Sequence, residues 1–154
     1  MDTEIQNIAN LLNQTFDKGA WHGPSVTETL ENITEKEAFN RLPNTHSIIE
    51  LVAHMTAWRT YVVKKLNGDA GFNVSPEQNF PVATDWEATR QGLQDSQRQL
   101  ISALGKLSGD LSKPVPGREK PLLFYTLLHG LVHHDLYHTG QIALIKKATV
   151  VQSF

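Results

Sequence analysis

The chain has 154 residues, 40% of them hydrophobic, with 14 basic against 16 acidic side chains, a size and balance that suit one globular domain with its own core. A formal charge of -2 leaves no basic stripe for nucleic acid or an anionic membrane surface. With no cysteine, disulfides, thiolate nucleophiles and thiolate ligands are excluded, so any metal must be held by nitrogen and oxygen.

The start Met1-Asp2-Thr3-Glu4 lacks the basic region and apolar run of a secretory signal. No window reaches ~18 uninterrupted apolar residues, so a cytoplasmic protein is expected. Residues 3–18 carry Ile5, Ile8, Leu12 and Phe16 at helical spacing, opened by Thr3 and Gln6 in the pattern of a capping box. The break Lys18-Gly19-Ala20-Trp21-His22-Gly23-Pro24 follows, with Trp21 a candidate plug for one end of a bundle. Two short helical connectors are expected over about 25–31 and 34–41, opened by Ser25/Glu28 and Thr34/Glu37. The second long helix runs over 47–67 behind Ser47/Glu50, and residues 67–81 form a loop, either a lid at the open end or a crossover between non-adjacent helices. A third long helix spans 84–107 behind Thr84/Glu87. Gly109 to Gly117 is a loop, and the last helix covers 120–148, with Pro121 in its first turn. No strand pattern or repeat stands out. The expected fold is therefore all-α: a four-helix bundle, one domain over 1–154, with short connecting helices between the first and second long ones.

The run His134-Asp135-Leu136-Tyr137-His138-Thr139-Gly140-Gln141-Ile142 sets two imidazoles four positions apart, a rotation of about 40° that leaves both on one helix face. Leu123, Leu127, Leu131 and Ile145 fall within roughly 60° of His134, so that face turns toward the core. Two neutral imidazoles there suit a divalent transition metal, given at least one further ligand. His54 qualifies, because Ser47, Leu51, Trp58, Tyr61 and Val62 share its face. A triad of His54, His134 and His138 would bridge the second and fourth long helices and leave coordination positions open. Without a metal, the same rings would be satisfied by hydrogen bonds to one another, to Tyr61 or to buried water.

Other candidates have plainer readings. His129 and His133 lie about 100–140° from His134, toward Lys147, and read as solvated surface. Glu50 is explained by its box with Ser47 and is kept as a candidate proton acceptor. Asp135 reads as facing solvent or a neighbouring helix, with an acceptor role for an imidazole N–H as the alternative. Trp58, Tyr61 and Tyr137 are pocket lining or core. Val132, Leu136 and Ala143 form a second stripe, fit to pack within the subunit or, as the preferred reading, across a dimer.

These residues resemble the DinB-like family, which includes YfiT-type proteins described as metal-dependent hydrolases. The resemblance rests on Trp21-His22-Gly23-Pro24-Ser25, on Pro43-Asn44-Thr45-His46-Ser47-Ile48, on Glu50 to Arg59 with its His54 and Trp58-Arg59, and on His134 to Ile142. It implies a four-helix bundle, often dimeric, with His54, His134 and His138 holding a divalent ion such as nickel or zinc. It also implies supporting roles for His46 at a helix start and His22 at the bundle end. Family members with known activity include transferases that activate a low-molecular-weight thiol such as bacillithiol, mycothiol or glutathione. The expected function is accordingly a metal-dependent hydrolase or thiol S-transferase in which the ion activates water or a thiol. The alternative is a non-catalytic metal-binding or stress-related protein with a structural or sensory ion. A small-molecule substrate and a homodimer are expected, with no nucleic-acid or membrane partner.

Overall fold

The computed structural model describes residues 3–17, 19–107 and 109–150. Their helices are α1 (Thr3–Phe16), α2 (Val26–Leu30), α3 (Glu35–Ala38), α4 (Ile48–Leu66), α5 (Pro76–Asn79), α6 (Trp86–Lys106) and α7 (Phe124–Val150). No strand occurs among the described residues, where the extended pairing is an isolated bridge between Pro114 and Leu123. The long helices pack in a ring, α4 against α6 and α7, and α1 against the same two. No helix among the described residues is long and apolar enough to cross a membrane.

Side chains set most helix starts. In α2 and α3 the Ser25 and Thr34 hydroxyls accept from the N–H of Glu28 and Glu37, while the two carboxylates accept from the capping N–H groups at 2.9 and 2.8 Å. Such reciprocal pairing satisfies donors that a short helix cannot satisfy internally. Ser47 donates to Glu50 at the start of α4 through its N–H at 2.7 Å and its hydroxyl at 2.9 Å. The Thr84 cap is not formed: Asp85 accepts from Ala88 N–H at 2.8 Å, since α6 begins only at Trp86, which is buried and donates its indole N–H to Ile33. The Thr3 box is likewise unformed, because Thr3 lies within α1 and not ahead of it.

The last helix starts at Phe124 rather than 120, leaving Pro121 outside it. Residues 111–123 fold back on themselves, Val115 N–H donating to Leu122 at 2.7 Å, and the Phe124 and Tyr125 N–H groups donate to the carbonyls of Lys113 and Leu111. This loop does the work of a side-chain cap. It also leaves Leu123 ahead of the helix and 41% exposed.

The buried apolar side chains form two clusters. One joins Phe16, Val26, Leu30, Met55, Leu93, Ile142 and Ile145; the other joins Ile5, Leu12, Tyr61, Leu100, Leu104, Leu128 and Leu131. Along α4 and α7 the polar positions His54, Arg59, His134, Asp135 and His138 fall at the junction between them. Val132 belongs to the second cluster and Leu136 packs against it, so these two members of the stripe are used inside the subunit, whereas the half-buried Ala143 belongs to neither cluster. Trp21 plugs nothing. It is 99% exposed and His22 beside it is exposed, because the turn through Gly19 (φ 80°) and Gly23 (φ 134°) points outward while Ser25 and Thr27 donate to the Asp17 carbonyl.

Candidate metal centre

Four positions of α7 separate His134 from His138 and bring both rings to one face, as the spacing requires. Opposite them α4 presents His54. The three Nε2 atoms converge: His54 to His134 is 3.0 Å and His138 to His134 is 3.2 Å. Among the described residues these three form the one group of histidine and carboxylate side chains fit to hold a metal ion, with ligand atoms within 4.8 Å of one another.

The outer nitrogens fix the tautomers. His54 Nδ1 lies 2.5 Å from the Asn79 carbonyl oxygen, which can only accept, so Nδ1 carries the proton and Nε2 presents a lone pair. His138 Nδ1 donates to Gln141 Oε1 at 2.7 Å, with the same result. Two lone pairs therefore face His134 Nε2, whose Nδ1 is buried without a partner. Whichever nitrogen of His134 holds its proton, the cluster has more lone pairs than donors. A cation at the centre of three nitrogens removes that conflict. The spacing agrees, since nitrogens ~2.0–2.1 Å from a tetrahedral ion lie about 3.3 Å apart.

Electrostatics keep the rings neutral and ready to ligate. Burial pushes the His134 pKa down to about 3, with His138, His54 and Arg59 adding to the effect. Burial also lowers His54 and His138, each against the opposing pull of its hydrogen bond.

The stretch read from sequence as a loop over 67–81 contributes to the centre through α5, whose Ser75/Gln78 capping box and Pro76 carry a helix signal that apolar periodicity does not show. Asn79 receives the His54 N–H on its carbonyl and the Trp58 indole N–H on its side chain at 2.9 Å. Phe80 stacks on His54 at 4.2 Å, and His46 stacks on Phe80 at 3.7 Å. The segment is thereby pinned over the triad.

Beside the triad, Asp135 is fully buried and faces α4, where it pairs with an equally buried Arg59. Arg59 also donates to Gln97 of α6, whose amide donates to Asn13 of α1 at 3.0 Å. Burial raises Asp135 to about 6 against the pull of Arg59. Asp135 therefore accepts from a guanidinium and not from an imidazole.

Glu50 is not among the converging groups. Burial opposes its charge, but the bonds from Ser47, with Arg41 at 3.5 Å and His46 at 3.7 Å, hold its pKa below the usual value, and it serves the helix start. His46 supports that start as expected. His133 is exposed, whereas His129 is half-buried with its ring 4.4 Å from Tyr125. Neither reaches the triad. Two cavities do: one of about 510 Å³ lined by His54, His138 and Tyr137, and one of about 250 Å³ lined by His134, Trp58 and Tyr61.

The fold and site define an all-helical protein with a tri-histidine centre that can hold a metal ion. The family model of the DinB superfamily matches residues 21–142, a span that includes all three histidines, and the chain belongs to that superfamily. Searches of curated proteins and of solved structures gave no match.

Proposed function

We propose that His54, His134 and His138 bind one divalent transition metal, nickel or zinc, and that the protein is a metal-dependent enzyme, a hydrolase or a thiol S-transferase. The observation that carries this reading is the convergence of three neutral imidazoles, two of them with Nε2 lone pairs fixed by Asn79 and Gln141. When bound, a divalent ion with three protein ligands supplies Lewis-acid activation of water or of a low-molecular-weight thiol such as bacillithiol, mycothiol or glutathione. The chain's own contribution is positional. Asn79 and Gln141 orient two rings, Phe80 covers one face of His54, and the neighbouring cavities admit a small molecule.

Elemental analysis of tag-free protein tests the centre. About one nickel or zinc per chain is expected, with loss in His138→Ala; a metal-free wild type that takes up neither ion overturns it. Thiol-transfer and hydrolysis assays of the loaded protein against halogenated and epoxide electrophiles test the chemistry. Stoichiometric metal with no turnover would make the ion structural or sensory. A homodimer belongs to the same proposal, supported by Tyr137 and Leu144, 65% and 60% exposed on one face of α7, and tested by light scattering of the purified chain.

A further inference from the structure

We propose that the cavity beside His134 binds a small organic acid with an apolar body, its carboxylate held by Arg118. The cavity, about 250 Å³, is walled by Trp58, Tyr61, Leu127 and Leu131, with His134 and Arg118 also in its lining. That size lies just under the ~300–1,000 Å³ of pockets for drug-sized ligands, so its occupant is smaller than those. The walls are apolar, and Arg118 is the cationic side chain in the lining. Its Nη1 donates to the Tyr61 hydroxyl at 3.3 Å, and it pairs with no carboxylate among the described residues. Four guanidinium N–H donors thus remain for a planar anion.

Arg118 is exposed at the cavity rim, and the backbone beside it is placed by its neighbours. Lys65, fully buried, donates to the carbonyls of Asp69 and Ala70 at 3.2 and 3.1 Å. Gly117, at φ +72°, sits so close to Ala70 that a Cβ there would lie 1.8 Å from its carbonyl oxygen. A buried lysine therefore fixes one loop, that loop fixes Gly117, and Gly117 delivers Arg118 to the cavity rim. With its carboxylate on Arg118, an acid lays its apolar body along Trp58 and Leu131 toward the His134 ring.

As the substrate class of the proposed metal centre this rests on the reading above; as a binding site it is independent of it, and metal-free protein separates the two. Phenylacetate and its neutral analogue phenylacetamide are titrated calorimetrically into the full chain, metal-free and zinc-loaded. The acid is expected to bind about three- to tenfold more tightly than the amide in both forms, the preference of an exposed to part-desolvated arginine pair. Arg118→Ala removes the preference while leaving amide binding intact, and Arg118→Lys retains part of it. Equal affinities in the native chain, binding of neither probe, or an acid preference that survives Arg118→Ala overturns the proposal, the last because the carboxylate is then held by a group other than Arg118. Acid preference in metal-free protein upholds the pocket even where elemental analysis finds no ion.

Discussion

Acidification of the metal-free protein is a direct probe of the triad. An unfolded histidine of ordinary pKa, about 6.5, gains roughly 2 kcal/mol from protonation by pH 5. A folded His134 held at about 3 by burial and by its neighbouring histidines gains almost none. The unfolded state thus binds the proton more tightly, and the folded state loses stability as pH falls from about 6.5 toward 3. His134 is only half-buried, and solvent screening trims its share between pH 7 and pH 5 to about 1–2 kcal/mol. His54 and His138, also lowered, act in the same direction. Urea unfolding of chelator-treated protein at pH 5, 6, 7 and 8 measures the slope, and His134→Gln should remove about 1–2 kcal/mol of the fall. A wild type whose stability stays flat over that range, or a variant that falls as steeply, would refute the assignment of a neutral, proton-resisting triad.

Three further substitutions test the supports of the site. Arg59→Met leaves Asp135 fully buried without its partner and should cost about 3–5 kcal/mol by urea unfolding, while the double variant with Asp135→Leu recovers most of the loss; additive single effects would count against a coupled pair. Asn79→Ala removes the acceptor of the Trp58 indole N–H and loosens the carbonyl that orients His54, so zinc affinity measured against a competing chelator should fall about tenfold with the helical circular dichroism unchanged. Gly117→Ala meets both a left-handed backbone and the Ala70 carbonyl; at least about 1–2 kcal/mol of lost stability is expected in thermal unfolding.

The long helices are legible because apolar side chains recur on one face of each, as with Ile5, Ile8, Leu12 and Phe16 of α1, all buried. The inward placement of His54 and His138 follows from the same periodicity. What escapes sequence reading depends on contacts between distant segments. The start of α7 is set by carbonyls of Leu111 and Lys113, so local residues point to Pro121 instead. Asp135 lies 76 positions from Arg59, and on a lone helix a carboxylate about 100° from the histidine face looks solvent-bound. The role of α5 hides in a segment with almost no apolar period, although Ser75-Pro76-Glu77-Gln78 is a helix start in its own right.

The position of the triad between two apolar clusters explains why this fold can carry a strained polar site. Each cluster closes one end of the helix ring with ordinary packing, so the layer between them need not supply cohesion and is free to hold the groups that hydrophobic burial would otherwise exclude. Arg59, Asp135 and Gln97 bind that layer across α4, α7 and α6, fixing the rotation of α7 at the residue next to His134. Ring orientation then follows from backbone placement plus two hydrogen bonds at Nδ1, from His54 to Asn79 and from His138 to Gln141. The cluster is left with more lone pairs than its donors can satisfy, a cost that the flanking cores offset and that a bound cation would relieve. Metal binding by the triad would therefore draw on the same conflict that costs the metal-free protein stability, and substitutions that ease it, such as His134→Gln, should raise metal-free stability at acid pH while lowering affinity for the ion.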